Sequence, residues 1–279
     1  MFSCITTNRE IFLRNLALTV SFPFLIAALC PPTRAVKVQT SCTEIAKTNA
    51  SPKIPDREQL MPFRIGETLT YHVTFAGFSN AATVELSVPE HRLILGEKTW
   101  HFRASAHTLS PLRSFMTIDD QIDSYTDVGT FESRQYETHL KEMGSIENEI
   151  LYPSSTGQVH RIGAPEVAVL PGTLDPLGAL FLLRTVDWRQ ISEFRAPIYD
   201  GQDLLEVRAR EEVHNETVAV DAGNFSATCI SIHLYQKGVE VTGESFSLWL
   251  ASDPSRTPIL LQAQMPLGRV RVELASTQR

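Results

Sequence analysis

The chain has 279 residues, 43% hydrophobic and 20% charged, which is the composition of a globular protein long enough to bury a sizeable core. Disorder and fibrous repeats are thereby excluded. A formal charge of −7 with no visible cationic face also excludes nucleic acid as a partner, since phosphate binding needs clustered Lys and Arg.

The N-terminus reads as a secretory signal. Arg9 and Arg14 precede the apolar run Asn15–Cys30, and Thr33-Arg34-Ala35 places cleavage after Ala35, with Ala28 as the second choice. This gives a signal peptide over 1–35, a polar, proline-dotted leader over 36–62, a single domain over 63–275 and a tail over 276–279. Cys4 and Cys30 leave with the signal. The pair that remains, Cys42 and Cys229, is a disulfide candidate in an exported chain. No transmembrane span is expected after cleavage.

From Ile65 onward the pattern is β. Leu69, Tyr71, Val73 and Phe75 alternate with Thr68, Thr70, His72 and Thr74, and Ala82–Val88 returns after the Gly77–Asn80 turn. Strands follow around Arg92–Leu95 and Lys98–Ala106. In residues 117–127, Ile118 and Ile122 share one face, and Asp119, Asp123 and Asp127 form an acidic face read as solvated. Phe131–His139 and Ile146–Tyr152 continue the pattern, with Gly144 as a turn.

Thr173–Arg184 is different. Asp175 suits an N-cap and Pro176 the first helical position. Leu177, Ala179, Leu180, Phe181, Leu182 and Leu183 then make a helix apolar on nearly every side, which must be covered as a core plug. Beyond it, Leu204 and Val207 fall in one strand and Val218 and Val220 in another, separated by His214-Asn215. Phe225–Tyr235, Phe246–Leu250, Ile259–Met265 and Val270–Leu274 complete the series. The fold class is therefore all-β, mainly antiparallel: a strongly curved sheet or incomplete barrel of about a dozen strands around one short buried helix.

Chemistry-bearing motifs are absent. The sequence has no phosphate loop, nucleophile elbow or zinc-protease helix. Its histidines are scattered, and His72 and His101 fall on polar strand faces, where solvation is the default. The spacing of Asp119, Asp123 and Asp127, about 13 Å for residues four apart on a strand, is too wide for one cation. No catalytic residue, metal ligand or cofactor is assigned. Candidate ligand-binding residues are Tyr71, Trp100, Phe181, Arg184 and Trp249. For Arg184, a role at the helix C-terminus is preferred over contact with an anionic headgroup.

Several stretches together resemble a known family. Phe63–Tyr71 resembles its "GE-x-L-x-Y" opening strand, and Ala76-Gly77-Phe78 the turn after it. Asp175–Arg184 is similar to its helix ending in "LR", and Ala222-Gly223-Asn224-Phe225 to its "AG-x-F" segment. Leu248–Asp253 with Pro258 resembles its closing "W-L-x-x-D…P" hairpin, ended by Leu267-Gly268. This is the exported bacterial family catalogued as domain of unknown function 3108, and the likeness runs from about Phe63 to Leu274. The chain departs from it at Phe78–Ala81, where relatives carry a second small step. The resemblance implies a curved all-β envelope protein and no catalytic residues. The reading that follows is an exported protein of the periplasm or outer envelope, non-enzymatic, binding an apolar or lipid-like ligand. The alternatives are a periplasmic protein–protein interaction module with a filled core, whose partner is another envelope protein, and a hydrolase.

Overall fold

The computed structural model describes residues 60–278 apart from 115–116, 143, 153–156, 162, 243–244 and 266–267. The expected signal peptide, most of the leader and Cys42 lie outside the described residues.

The first hairpin pairs β1 (Thr68–Phe75) with β2 (Phe78–Ser87), and β3 (His91–Ile94) pairs with β4 (Glu97–Thr108). Next come β5 (Asp119–Asp127), β6 (Ser133–Glu142), β7 (Gly144–Leu151), β8 (Gln158–Arg161) and β9 (Val167–Ala168). After the helix α1 (Pro176–Thr185) the chain returns to strand in β10 (Glu193–Tyr199), β11 (Leu204–Val220) and β12 (Gly223–Gln236). It ends with β13 (Val239–Glu240), β14 (Ser245–Ala251), β15 (Pro258–Met265) and β16 (Gly268–Gln278). The order is β10-β11-β12-β14-β15-β16-β1-β2-β4-β5-β6-β7-β8-β9, with β3 on β4 and β13 on β12. Early and late strands meet where β1 lies between β16 and β2, so this pairing is non-local.

The sheet curls until its two edge regions approach. Tyr152 Oη donates to the Tyr199 carbonyl at 2.8 Å and Arg161 to the Gly201 carbonyl at 3.0 Å. Side chains, not a ladder, bring these edges together, so the fold is an incomplete barrel. In β1 the expected alternation is strict: Leu69, Tyr71, Val73 and Phe75 are buried and the residues between them half-buried.

Antiparallel order sends successive turns to opposite ends of the curl. The β1–β2, β4–β5, β12–β13 and β15–β16 connections fall at one end, and the β2–β3, β5–β6 and β14–β15 connections at the other. The helix sits at the second end. Arg184 Nη2 donates to the carbonyls of Pro62 and Ser255 at 3.2 Å each, and Arg256 Nη1 donates to the Thr185 carbonyl at 2.9 Å. Phe63 packs edge-on against Trp100, Phe102, Phe131 and Phe181, sealing this end with aromatic rings.

Several expectations are corrected. The sheet has sixteen strands among the described residues; β8, β9, β10 and β13 were not expected, and β9 and β13, two residues each, are too short to show an alternation. His214-Asn215 does not separate two strands. It lies within the 17-residue β11, where bulges between Glu211 and Glu216 and a positive φ at Asn215 bend the strand without ending it. The bent part of the β11–β12 hairpin folds over the outer face: His72 Nδ1 lies 2.6 Å from Asp221, and Ala222 N–H donates to the Leu274 carbonyl at 3.0 Å. Gly144 begins β7 instead of standing in a turn. The expected tail is strand as far as Gln278, which pairs with Thr68.

An apolar cavity as the candidate functional site

Between α1 and the inner face of the sheet lies a cavity of about 160 Å³. The helix contributes Pro176, Ala179, Leu180 and Leu183. Tyr71, Val73, Val84 and Leu86 come from β1 and β2, Val270 and Val272 from β16, and Pro258, Leu261 and Ala263 from β15. Phe246, Leu248, Ile232, Leu234, Val207 and Ile198 complete the wall from β14, β12, β11 and β10. Period-two alternation explains the set, because every wall strand turns its apolar face inward. Val84, Ile232, Phe246, Leu261 and Val272 remain half-exposed, so water reaches this apolar surface. Tyr71 is the one lining side chain with a polar atom, and its Oη donates to the Pro258 carbonyl at 3.0 Å. Burial pushes its phenol pKa up, so it stays protonated.

The helix is held in place by buried polar contacts. Asp175 caps it by accepting from Gly178 N–H at 2.8 Å, and its other oxygen accepts from Ser124 at 2.7 Å and Ser133 at 2.5 Å. Burial pushes the Asp175 carboxyl above the usual carboxylate range, partly offset by these donors. Gly178 is required by contact: a Cβ there would lie 2.7 Å from Thr126 Cγ2 and 3.0 Å from Asp175 Oδ2. At the other terminus the Arg184 guanidinium, fully buried, meets Glu67 at 2.7 Å. The two stretches "GE" and "LR", 117 residues apart, are therefore joined by one buried ion pair.

Of the five candidate ligand residues, the cavity takes Tyr71 alone. Trp100 and Phe181 belong to the aromatic seal, where Phe181 stacks on Phe102 with centroids 3.8 Å apart. Arg184 is engaged by Glu67 and by the backbone carbonyls of Pro62 and Ser255. Trp249 alternates with the inward Leu248 and Leu250 and so faces out, where its indole N–H donates to Glu216 of the folded hairpin. Cys229 is buried opposite Trp249 on that outer face, and burial pushes its thiol up to about 11. Sequence reasoning missed Val84, Ile232, Leu261 and Val272. Alternation marked each as one face of a strand, but which face a cavity occupies depends on how the sheet closes.

The acidic face of β5 is also corrected. Asp123 is not solvated but 1% exposed. It accepts from His101 at 2.5 Å, Arg103 at 2.7 Å and Gln121 at 2.6 Å. Burial acts to raise its pKa, yet these donors outweigh it and hold the carboxyl below its ordinary value. His101, expected on a solvated face, is 3% exposed and stacks on Tyr125. Asp123, Glu137 and His139 come close enough to suggest a metal trio. The Arg103 cation on Asp123 disfavours a second cation there. Among the described residues no helix is long and apolar enough to cross a membrane.

A β-barrel-like protein of the domain of unknown function DUF1849 from Brucella abortus superposes with a TM-score of 0.51 at 12% identity, over 76% of this chain and 96% of that one. A candidate lipoprotein from Parabacteroides distasonis and a candidate exported protein with a YmcC-like fold from Bacteroides fragilis each give 0.38 at 11% identity, over 78% of this chain and 98% of theirs. The first likeness supports the barrel-like fold, and at these identities it speaks to nothing further. No curated protein matches the chain. The family described as protein of unknown function DUF3108 matches residues 70–275, most of the barrel and all of the helix. That match covers well over half of the sequence, and the chain belongs to the DUF3108 family.

Proposed function

We propose that this protein is an exported binding protein of the bacterial envelope that holds an apolar, lipid-like ligand between α1 and the curled sheet. One observation carries the reading: a water-accessible cavity walled by hydrocarbon in the interior of a barrel. A folded chain gains free energy by burying such surface, about 25 cal/mol per Å². Surface left wet inside the barrel is therefore a standing site for an apolar ligand. An interaction module with a filled core would leave no such space, and a hydrolase would need several polar groups aimed into it. The signal-like N-terminus, with Arg9 and Arg14 before an apolar run, supports the exported address.

Native mass spectrometry of protein purified from an envelope fraction tests the reading, with a bound lipid-sized mass expected. N-phenyl-1-naphthylamine, a dye that brightens in apolar surroundings, should also bind the delipidated protein. Ile232→Glu, which places a carboxylate on the half-exposed cavity wall, should abolish that signal. Bare protein in the spectrometer together with no dye binding would defeat the proposal.

A further inference from the structure

Resting on the apolar-ligand reading, we infer that the ligand is a single-chain amphiphile, held with its hydrocarbon tail toward α1 and its headgroup left in water. Three observations point the same way. The wall offers no charged or amide side chain among the described residues, and its one hydroxyl, on Tyr71, is engaged by the Pro258 carbonyl. A headgroup drawn inside would lose its hydration without a partner, which strongly disfavours that orientation. At the helix end the cavity meets Leu180 and Leu183, and behind them the aromatic seal closes the barrel, so a tail enters from the end opposite α1. The volume of about 160 Å³ is also small. An apolar protein cavity of about 150 Å³ takes up one benzene, so the interior of this one admits roughly six carbons of one chain, or one ring of a larger probe whose remainder stays at the mouth, and not a two-chain lipid.

The inference fixes how affinity depends on chain and head. Displacement of N-phenyl-1-naphthylamine by linear alcohols from butanol to dodecanol reads the chain. Kd should fall roughly four-fold per methylene while the cavity fills, and the gain should drop below about two-fold per methylene beyond roughly six carbons. Octanol, octanoate and octyltrimethylammonium should agree within about ten-fold, because their heads stay in water. Ala179→Leu, which adds bulk at the helix wall, should move the break to shorter chains. Ala263→Leu does the same from the sheet and serves if the helix variant loses its cooperative melt.

A flat chain-length series, a steady gain through dodecanol, or a head preference beyond about ten-fold would overturn the inference. The wild-type series decides this even if neither variant folds. If the dye does not bind at all, the apolar-ligand reading itself fails. Dye binding with a flat alcohol series defeats only the single-chain inference.

Discussion

Truncating Phe181 to alanine tests whether α1 plugs the barrel or merely rests on it. The ring is 1% exposed. It stacks on Phe102 at 3.8 Å with planes 6° apart, meets Phe63 edge-on at 5.3 Å, and has the Arg184 guanidinium 5.3 Å from its centroid. Removing it forfeits the transfer free energy of a buried aromatic, about 1.5–3 kcal/mol, and about 0.5–1.5 kcal/mol for an aromatic pair. With the void that fixed neighbours cannot fill, the total is about 3–5 kcal/mol. For a domain of this size that corresponds to a drop of about 8–15 °C in the melting midpoint, measured by circular dichroism. Phe181→Leu, which restores most of the volume, should recover much of the loss. Dye binding should survive in both variants, since Phe181 faces the aromatic seal and not the cavity. A cooperative melt shifted by less than about 2 °C would refute the packing argument and make α1 a lid.

Three further outcomes follow from the same geometry, and a fourth from the sequence. Arg184→Met leaves the buried Glu67 carboxylate without its guanidinium and should cost about 3–5 kcal/mol in urea unfolding. Glu67→Gln added to it should restore part of the loss, whereas strictly additive losses would refute the pairing. Gly178→Ala drives a methyl against Thr126 and should destabilise by about 1–3 kcal/mol, with Thr126→Ser as partial rescue; an unchanged midpoint would refute the close approach. Burial, reinforced by Asp203, pushes the Asp200 carboxyl up to about 6 against the backbone N–H groups it accepts from. The folded state therefore holds this proton more tightly, and the stabilisation is full below about pH 4 and lost as pH rises through about 6. Relative to Asp200→Asn, the wild type should lose about 1–2 kcal/mol across that window, discounted for its half-exposed position, and parallel stability curves would refute the assignment. If Cys42 pairs with Cys229, exported protein denatured without reductant should titrate no free thiol, and finding two would sink the pairing.

Much of the fold was legible because it is written in local rules. Strict alternation in β1, with Leu69, Tyr71, Val73 and Phe75 inward, follows from the period of two and appears unchanged in the structure. The Asp175-Pro176 start of α1 follows from the chemistry of unpaired N–H groups and is also found, with Asp175 accepting from Gly178. A helix apolar all round has to be covered, and its burial was expected from that pattern, whereas the stack of Phe181 on Phe102 comes only from the structure. The site was far less legible. Trp100 and Trp249 look equally suited to a ligand in sequence, yet one seals the helix end and the other faces outward beneath a folded hairpin.

By itself, then, the sequence determined the period of most strands, the helix α1 and its cap, the exported address as an expectation, and a resemblance read on stretches such as Gly66-Glu67 and Leu183-Arg184. Only the tertiary structure decided what those stretches are for. Glu67 and Arg184 stand 117 residues apart, and only the curl of the sheet brings the start of β1 onto the helix terminus. The same curl chose which strand faces enclose the cavity, while neighbours on β4 and β5, Arg103, Gln121 and Tyr125, turned Asp123 and His101 from a solvated face into a buried pair. The physical reason is range. Periodicity and capping act within a few residues, whereas burial depends on what the rest of the chain lays across a face once the sheet has curled.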